Sequence, residues 1–362
     1  MARSGAERQV TVLAIGLAAC FVALAFASLM LPSDTRPGAW LPVHLLFAGG
    51  AATAIAGVMP FFSAAVSGAP PAPASVRAGA VTAVAAGALL VSAGRVLNPA
   101  LTGPDAQLTA FGALVYITGL VLVGWATLVP LRRALGPRRV VIAAIYGSAL
   151  VNVILGAGLA ALLLLGFAPV VADWPALKPA HAWLNLFGFV SLTIAGSLLH
   201  LLPTVVGARI GRTRASLVSV AGLAAGPLLA ATGFAMGSTP VALAGAALVV
   251  VAALALGLHA LNTMRARATW TTDPDWHRFT TWSLVAGVAW FIVGGLAAAA
   301  TIWNGGATSA GWQLSPLIAP LGIGWVAQVL VACPSRPRAR SIRSGGHVDG
   351  AWPVTDTVRE GE

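Results

Sequence analysis

The sequence predicts an all-α protein, a polytopic transmembrane helix bundle of about ten spans with both termini in the cytoplasm. Of the 362 residues, 58% are hydrophobic and only 9% are charged, whereas a soluble domain carries about 25% charged residues. Apolar runs of about 20 residues, the length that crosses a bilayer, recur along the chain. Lys and Arg concentrate in every second connection, as the positive-inside rule requires. We therefore expect a multi-pass protein of the cell membrane with the lipid bilayer as its main partner.

The predicted spans form one bundle over residues 1–333. Their approximate ranges are 10–31, 41–66, 76–97, 109–131, 139–167, 180–206, 214–236, 239–263, 280–303 and 311–333. The first run has a basic start and a stretch, Ala25-Phe26-Ala27, that resembles a signal-peptide cleavage site. We predict a retained helix, because the run is long enough to span a bilayer. Residues 334–362 are rich in Arg, Ser, Pro and Gly, which predicts a disordered basic cytoplasmic tail.

The net charge of +11 is explained by membrane orientation. In a soluble chain such a charge would suggest nucleic-acid binding, but here the basic residues lie in connections and tails, so no nucleic-acid partner is predicted. With the N-terminus inside, the outer connections hold only Arg36, Arg95 and Lys178. The two cysteines, Cys20 and Cys333, form no Cys-x-x-Cys-His motif. A haem would therefore be bound non-covalently.

Four of the six histidines fall in the predicted spans, and the alternation of spans gives each a depth. His44 and His181 are predicted at the outer end of the bundle, and His200 and His259 at the inner end. His181 and His200 lie on one helix, about 28 Å apart along its axis. They cannot serve one metal, so the sequence predicts an outer pair, His44 with His181, and an inner pair, His200 with His259.

Two imidazoles on facing helices can occupy both axial positions of a haem iron, and such a pair can also hold copper. The predicted cofactor is haem b or copper, with His44 and His181 as metal ligands. Asn185, four residues after His181, shares its helix face and is a candidate for orienting the ring. Arg95 is a candidate partner for a haem propionate. The alternative is that these histidines are interfacial residues anchored at the lipid headgroups, and one true site beside unrelated histidines is compatible with the pattern.

Other polar and aromatic residues of the spans have structural interpretations. Asn and Gln side chains commonly hydrogen-bond across helices in lipid, which is the role expected of Asn152 and Gln328. No Asp or Glu falls in a predicted span, which argues against a carboxylate-based proton pump. Tryptophans cluster near span ends and predict an aromatic belt: Trp40, Trp174, Trp183, Trp303 and Trp312.

Three helices carry a resemblance to a known family. The motif His181-x-x-x-Asn185-x-x-Gly-Phe, continuing to Gly196-x-x-x-His200-x-x-Pro203, resembles divergent branches of the haem-copper oxidase subunit I superfamily. These include nitric-oxide-reductase-like subunits and NnrS-type membrane proteins. It is closer still to membrane regions that precede copper-oxidase or nitrite-reductase-like cupredoxin domains in actinobacterial proteins. The segments beginning at Trp40 and Gly324 match the same pattern. The resemblance implies haem or metal binding through His44, His181 and His200.

The chain departs from that family in ways that limit the function. It has no His-His pair and no His-x-x-x-Tyr, so oxygen reduction is not expected. No cupredoxin domain is expected after the bundle, and the last helix breaks at Ala332-Cys333-Pro334 into an Arg-rich run. We expect this end to be a truncation or an out-of-frame extension.

The leading hypothesis is a membrane haem or copper protein of respiratory or nitrogen-oxide metabolism that carries electrons or senses, with a redox partner or copper enzyme elsewhere. One alternative is a cofactor-free transporter. The ten-span, Gly-rich architecture offers it weak support, but no convincing inverted repeat is found, and the Ile-Ala-Gly elements at 55–57 and 194–196 leave a repeat unproven. Another alternative is an assembly partner of a separate copper enzyme.

Overall fold

The computed structural model describes residues 2–32, 38–98, 105–134, 138–211, 213–272 and 277–332, and these residues contain helices and turns but no strand. Within these residues, ten helices are long and apolar enough to cross a membrane, so the prediction of an all-α, ten-span bundle is confirmed. In chain order the helices are α1 (Ala2–Ser28), α2 (Trp40–Ser67), α3 (Ala74–Leu97), α4 (Asp105–Arg133), α5 (Arg138–Leu164), α6 (Ala168–Val206), α7 (Arg214–Ala235), α8 (Thr239–Arg265), α9 (Arg278–Gly305) and α10 (Ser309–Ala332).

Neighbouring helices pack antiparallel through glycines. In the pair α3 and α4, Gly94 faces Thr109 near one end and Gly119 faces Val84 near the other, and a Cβ on either glycine would collide with its neighbour. The pair α7 and α8 has the same kind of contact. Small residues thus let these backbones approach closely, as expected for helices in lipid.

Helix α6 is the centre of the bundle. In the 18-residue apolar stretch of α6, 78% of the residues are buried inside the protein, whereas only 28% are buried in the corresponding stretch of α1. Phe187 and Leu192 of this helix are fully enclosed. The helix contacts α5, α7, α8 and α9, and its second half also contacts α2. Helices α2, α5, α7, α8 and α9 therefore pack around the segment that carries both His181 and His200.

The beginning of α6 differs from the prediction. The sequence placed its start near residue 180, whereas the helix begins at Ala168 and continues through Pro175 and Pro179. The whole helix has 39 residues and is about 58 Å long, nearly twice the hydrocarbon thickness of roughly 30 Å. Its first turns carry the exposed residues Asp173 and Lys178. We infer that these turns extend beyond the hydrocarbon and lie above His181.

Within the described residues, three helices contain a π-helical segment, and they are every fourth helix in chain order, α2, α6 and α10. The segments are Leu45–Ala51 in α2, Leu184–Ser191 in α6 and Ile318–Ala327 in α10. π-helical turns are rare and often mark functional sites. In α2 the segment begins directly after His44, and in α6 it begins three residues after His181.

Two residues are placed differently from expectation. Trp183 is fully buried, with 0% of its surface exposed, so it is not part of an aromatic belt. It packs against Phe187 with ring centroids 4.5 Å apart. Arg77 departs from the expectation that basic residues lie in connections and tails, because it lies in the first turns of α3 and is only 1% exposed. Trp303, by contrast, is 76% exposed at the end of α9, as a belt residue should be.

Candidate metal centre

His44 is positioned by the first turn of α2. Its Nδ1 lies 2.8 Å from the carbonyl oxygen of Trp40, one helical turn earlier. The indole of Trp40 also stacks on the imidazole, with ring centroids 4.1 Å apart and an angle of 22° between the planes. A carbonyl can only accept, so Nδ1 carries the proton and donates. The Trp40 residue therefore holds His44 by both its backbone and its ring.

His181 is positioned by a neighbouring helix. Its Nδ1 lies 2.8 Å from the carbonyl oxygen of Gly156 on α5, and the same reasoning makes Nδ1 the donor. The ring of Trp174, from the first turns of α6, lies 5.9 Å from that of His181. The Trp174 ring is tilted by 52° to that of His181, so this contact is looser than the stacking of Trp40 on His44.

The structure brings the outer pair together. The His44 and His181 rings have centroids 6.3 Å apart, and their planes differ by only 13°. A metal bound about 2 Å from one nitrogen of each ring would separate the two centroids by roughly 6 Å. With both Nδ1 atoms donating to carbonyls, each neutral imidazole retains Nε2 as its lone-pair nitrogen. The pair therefore has the spacing and the tautomers that suit two metal ligands.

Asn185 supports the site, although its main bond differs from the one expected. Its side-chain amide donates to the His181 carbonyl at 2.7 Å, and its nitrogen lies 3.3 Å from His181 Nδ1. The acceptor that fixes the His181 tautomer is instead the Gly156 carbonyl. The Gly156 residue also makes room for Asn185, because a Cβ there would collide with the Asn185 amide.

Deeper in the bundle than His181, Asn152 of α5 packs against Gly188 of α6. A Cβ on Gly188 would collide with the Asn152 side chain. The amide nitrogen of Asn152 donates to the Ser148 carbonyl within its own helix at 2.9 Å. An interhelical hydrogen bond between α5 and α6 lies further inward, where Tyr146 Oη and Ser197 Oγ are 2.9 Å apart. Tyr146 and Ser197 therefore form the kind of cross-helix hydrogen bond that was expected of Asn152.

Two cations lie at the outer end of the bundle. Lys178, three residues before His181, is exposed and close enough to His44 to interact with it electrostatically. Arg95 occupies the last turn of α3, and its Nη1 is buried with no hydrogen-bond partner among the described residues. Both could face an anionic group, and the assignment of a propionate to Arg95 stays a prediction.

The inner pair is also brought into one region. His259 is 4% exposed, and its ring is close enough to that of His200 for an electrostatic interaction. Nδ1 of His259 lies 3.4 Å from the Thr213 hydroxyl, and its Nε2 is buried without a hydrogen-bond partner among the described residues. The His200 ring meets Phe62 edge-on at 6.2 Å. No ring contact between the two histidines comparable to that of the outer pair is found in the described part of the chain.

Sequence reasoning missed four contributors to the outer site: Trp40, Trp174, Gly156 and Lys178. Spacing could have found three of them. Trp40 precedes His44 by four residues, while Trp174 and Lys178 precede His181 by seven and three, and all these intervals place side chains on one helix face. The contribution of Gly156 is a backbone carbonyl from another helix, which no spacing along α6 can reveal.

The donor set fits a haem iron, which takes two axial ligands from the protein. Among the residues that the structure describes, no group of three or more His, Cys, Asp or Glu side chains is placed to hold a metal ion. Comparisons with protein-family models, with curated proteins and with solved structures gave no match.

Proposed function

We propose that this protein is a membrane haem protein, with His44 and His181 as the two axial ligands of a haem b at the outer end of the bundle. The observation that carries the proposal is the arrangement of the two imidazoles, nearly parallel and with centroids 6.3 Å apart. Each comes from a different helix, and each has its Nδ1 engaged by a backbone carbonyl. The two rings thus offer the complete set of protein ligands that a six-coordinate haem requires.

The surroundings favour a stable low-polarity site. Trp40 and Trp174 flank the two imidazoles, and hydrogen bonds from ligand histidines to carbonyls raise ligand basicity and hold ring orientation. Lys178 and Arg95 at the same end of the bundle supply positive charge for carboxylate groups of the ligand. Haem b, when bound, supplies exchange of single electrons between the ferric and ferrous states.

The proposed role is electron transfer or redox sensing in respiratory or nitrogen-oxide metabolism, at the plasma membrane and with a separate redox partner. The resemblance of α2, α6 and α10 to divergent haem-copper oxidase subunits supports this context. A copper ion held by the same two imidazoles is the alternative cofactor.

Cofactor analysis of the purified protein tests the proposal. The protein is produced in cells with ample haem and copper, extracted in mild detergent, and assayed for haem b by pyridine haemochrome and for copper by mass spectrometry. We expect about one haem b per chain. Stoichiometric copper without haem would show that copper is the cofactor. The absence of both from well-folded protein would refute a metal centre.

A further inference from the structure

An open groove lies on the lipid-facing surface where α9 begins, at the end of the bundle predicted to be cytoplasmic. Its volume is about 580 Å³, and it is lined by Arg278, Phe279, Trp282, Ser283, Ala286 and Gln328. All but Gln328 belong to α9. Phe279 is 60% exposed and Trp282 is 52% exposed, so the groove opens away from the bundle core. The groove lies at the opposite end of the bundle from His44 and His181. An inference drawn from it does not depend on the proposed haem function.

The polar groups of the groove are arranged by depth. Arg278 is the first residue of α9, and Ser283 is five residues further, about 7.5 Å deeper along the axis. The hydroxyl of Thr280 on α9 donates to the carbonyl of Ala332 on α10 at 3.4 Å, so the end of α10 is level with the start of α9. Gln328, four residues before Ala332, is therefore about 6 Å deeper than that level. The Arg278 guanidinium therefore lies nearest the membrane surface, and the Ser283 hydroxyl and the Gln328 amide lie about one helical turn deeper.

This order matches the parts of a glycerophospholipid. The phosphate lies at the membrane surface, the ester carbonyls lie several ångströms deeper, and the acyl chains continue into the hydrocarbon. We propose that the groove binds one glycerophospholipid with an anionic headgroup, its phosphate paired with Arg278 and its ester carbonyls accepting from Ser283 and Gln328. One acyl chain lies against Trp282 and Ala286.

Two physical arguments support this occupant. A groove that faces hydrocarbon is filled by lipid, because an empty space there would forfeit dispersion contacts along its walls. The planar guanidinium of Arg forms two parallel hydrogen bonds with phosphate, which gives geometric preference as well as attraction. An acyl chain that lies on the exposed indole ring of Trp282 and on the small side chain of Ala286 also has room to pack. The site is thus a specific lipid position beyond the general lipid shell.

Native mass spectrometry of the purified full chain tests the proposal, with phosphatidylglycerol and phosphatidylcholine as the probes. After delipidation, the wild type should retain one phosphatidylglycerol that resists release, and phosphatidylcholine should be held less tightly. Arg278→Gln should weaken this binding about tenfold, as expected for loss of a charge-assisted contact. Gln328→Leu should weaken it to a smaller extent.

Arg265→Gln is the matched control. Arg265 is an exposed arginine at the last position of α8, on the same side of the membrane but outside the groove. This variant should keep the tightly held lipid, and phosphatidylglycerol should raise its thermal stability as it does that of the wild type but not that of Arg278→Gln. Equal lipid retention by the two arginine variants would overturn the proposal, since the lipid would then be bound only by the general positive charge of that surface.

Discussion

His44 and His181, which belong to helices α2 and α6, face each other with nearly parallel imidazole rings and ring centroids 6.3 Å apart. Their Nδ1 atoms donate to the carbonyls of Trp40 and Gly156 respectively. Each ring is therefore held by a backbone carbonyl, and the nitrogen left to each is Nε2. A site already ordered by the protein loses little side-chain entropy when a ligand binds.

The Gly156→Ala substitution should disturb the site from the neighbouring helix. The new Cβ would collide with the Asn185 amide, and the carbonyl of the same residue accepts from His181. Overpacking of this kind costs about 1–3 kcal/mol. We expect a lower midpoint of thermal unfolding in detergent together with reduced cofactor content.

Gly158→Ala is the control for this substitution. Gly158 lies two residues further on the same helix, and a Cβ there would meet no atom within 4 Å. Replacing an unconstrained helical Gly by Ala is favourable by roughly 0.5–1 kcal/mol, so this variant should be as stable as the wild type or more stable. If the two variants behaved alike, the close packing of Gly156 against Asn185 would not matter to the site.

Trp40→Ala should weaken the site through loss of the ring that stacks on His44. Aromatic pairs contribute about 0.5–1.5 kcal/mol beyond buried area, which corresponds to a roughly 2- to 13-fold loss of cofactor affinity. Titration of haem into the cofactor-free protein measures the change. Trp303→Ala is the control, because Trp303 is 76% exposed at the end of α9; an equal loss in both variants would show a general effect of losing tryptophan.

The double substitution His200→Ala, His259→Ala should leave the outer centre intact. The inner pair lies near the opposite end of α6, about 28 Å from His181 along the helix. We expect the haem spectrum of the wild type to persist, and any second equivalent of bound metal to disappear. Loss of the whole haem signal from a folded double variant would assign the cofactor to the inner pair instead.

Much of the fold follows from the length and spacing of apolar runs. Ten runs of bilayer length predicted ten helices, and the alternation of basic connections predicted which histidines share a level. The start of α6 was predicted too late because Pro175, Pro179 and the charged residues near them are typical of a connection. The helix forms there nonetheless, which shows that tertiary context can override the penalty for internal proline.

The candidate site was only partly predictable. The pairing of His44 with His181 could be predicted from helix direction alone. The tautomers could not, because they depend on hydrogen bonds to backbone carbonyls, and the Gly156 carbonyl belongs to another helix. The π-helical segments that follow both histidines have no signature in the composition of the chain. Trp183 has the sequence position of a belt residue, yet it is fully buried and its ring packs against that of Phe187. Its ring meets that of Trp312 at 6.5 Å.

The most direct test of the central claim is the reduced-minus-oxidised optical spectrum of the purified protein and its histidine variants. We expect a Soret band and the α and β bands of a low-spin, bis-histidine haem b in the wild type. His44→Ala and His181→Ala should each abolish that low-spin spectrum. His277→Ala, which changes a histidine just before α9, should retain it. An unchanged low-spin spectrum in a folded His44→Ala or His181→Ala variant would contradict the proposed centre.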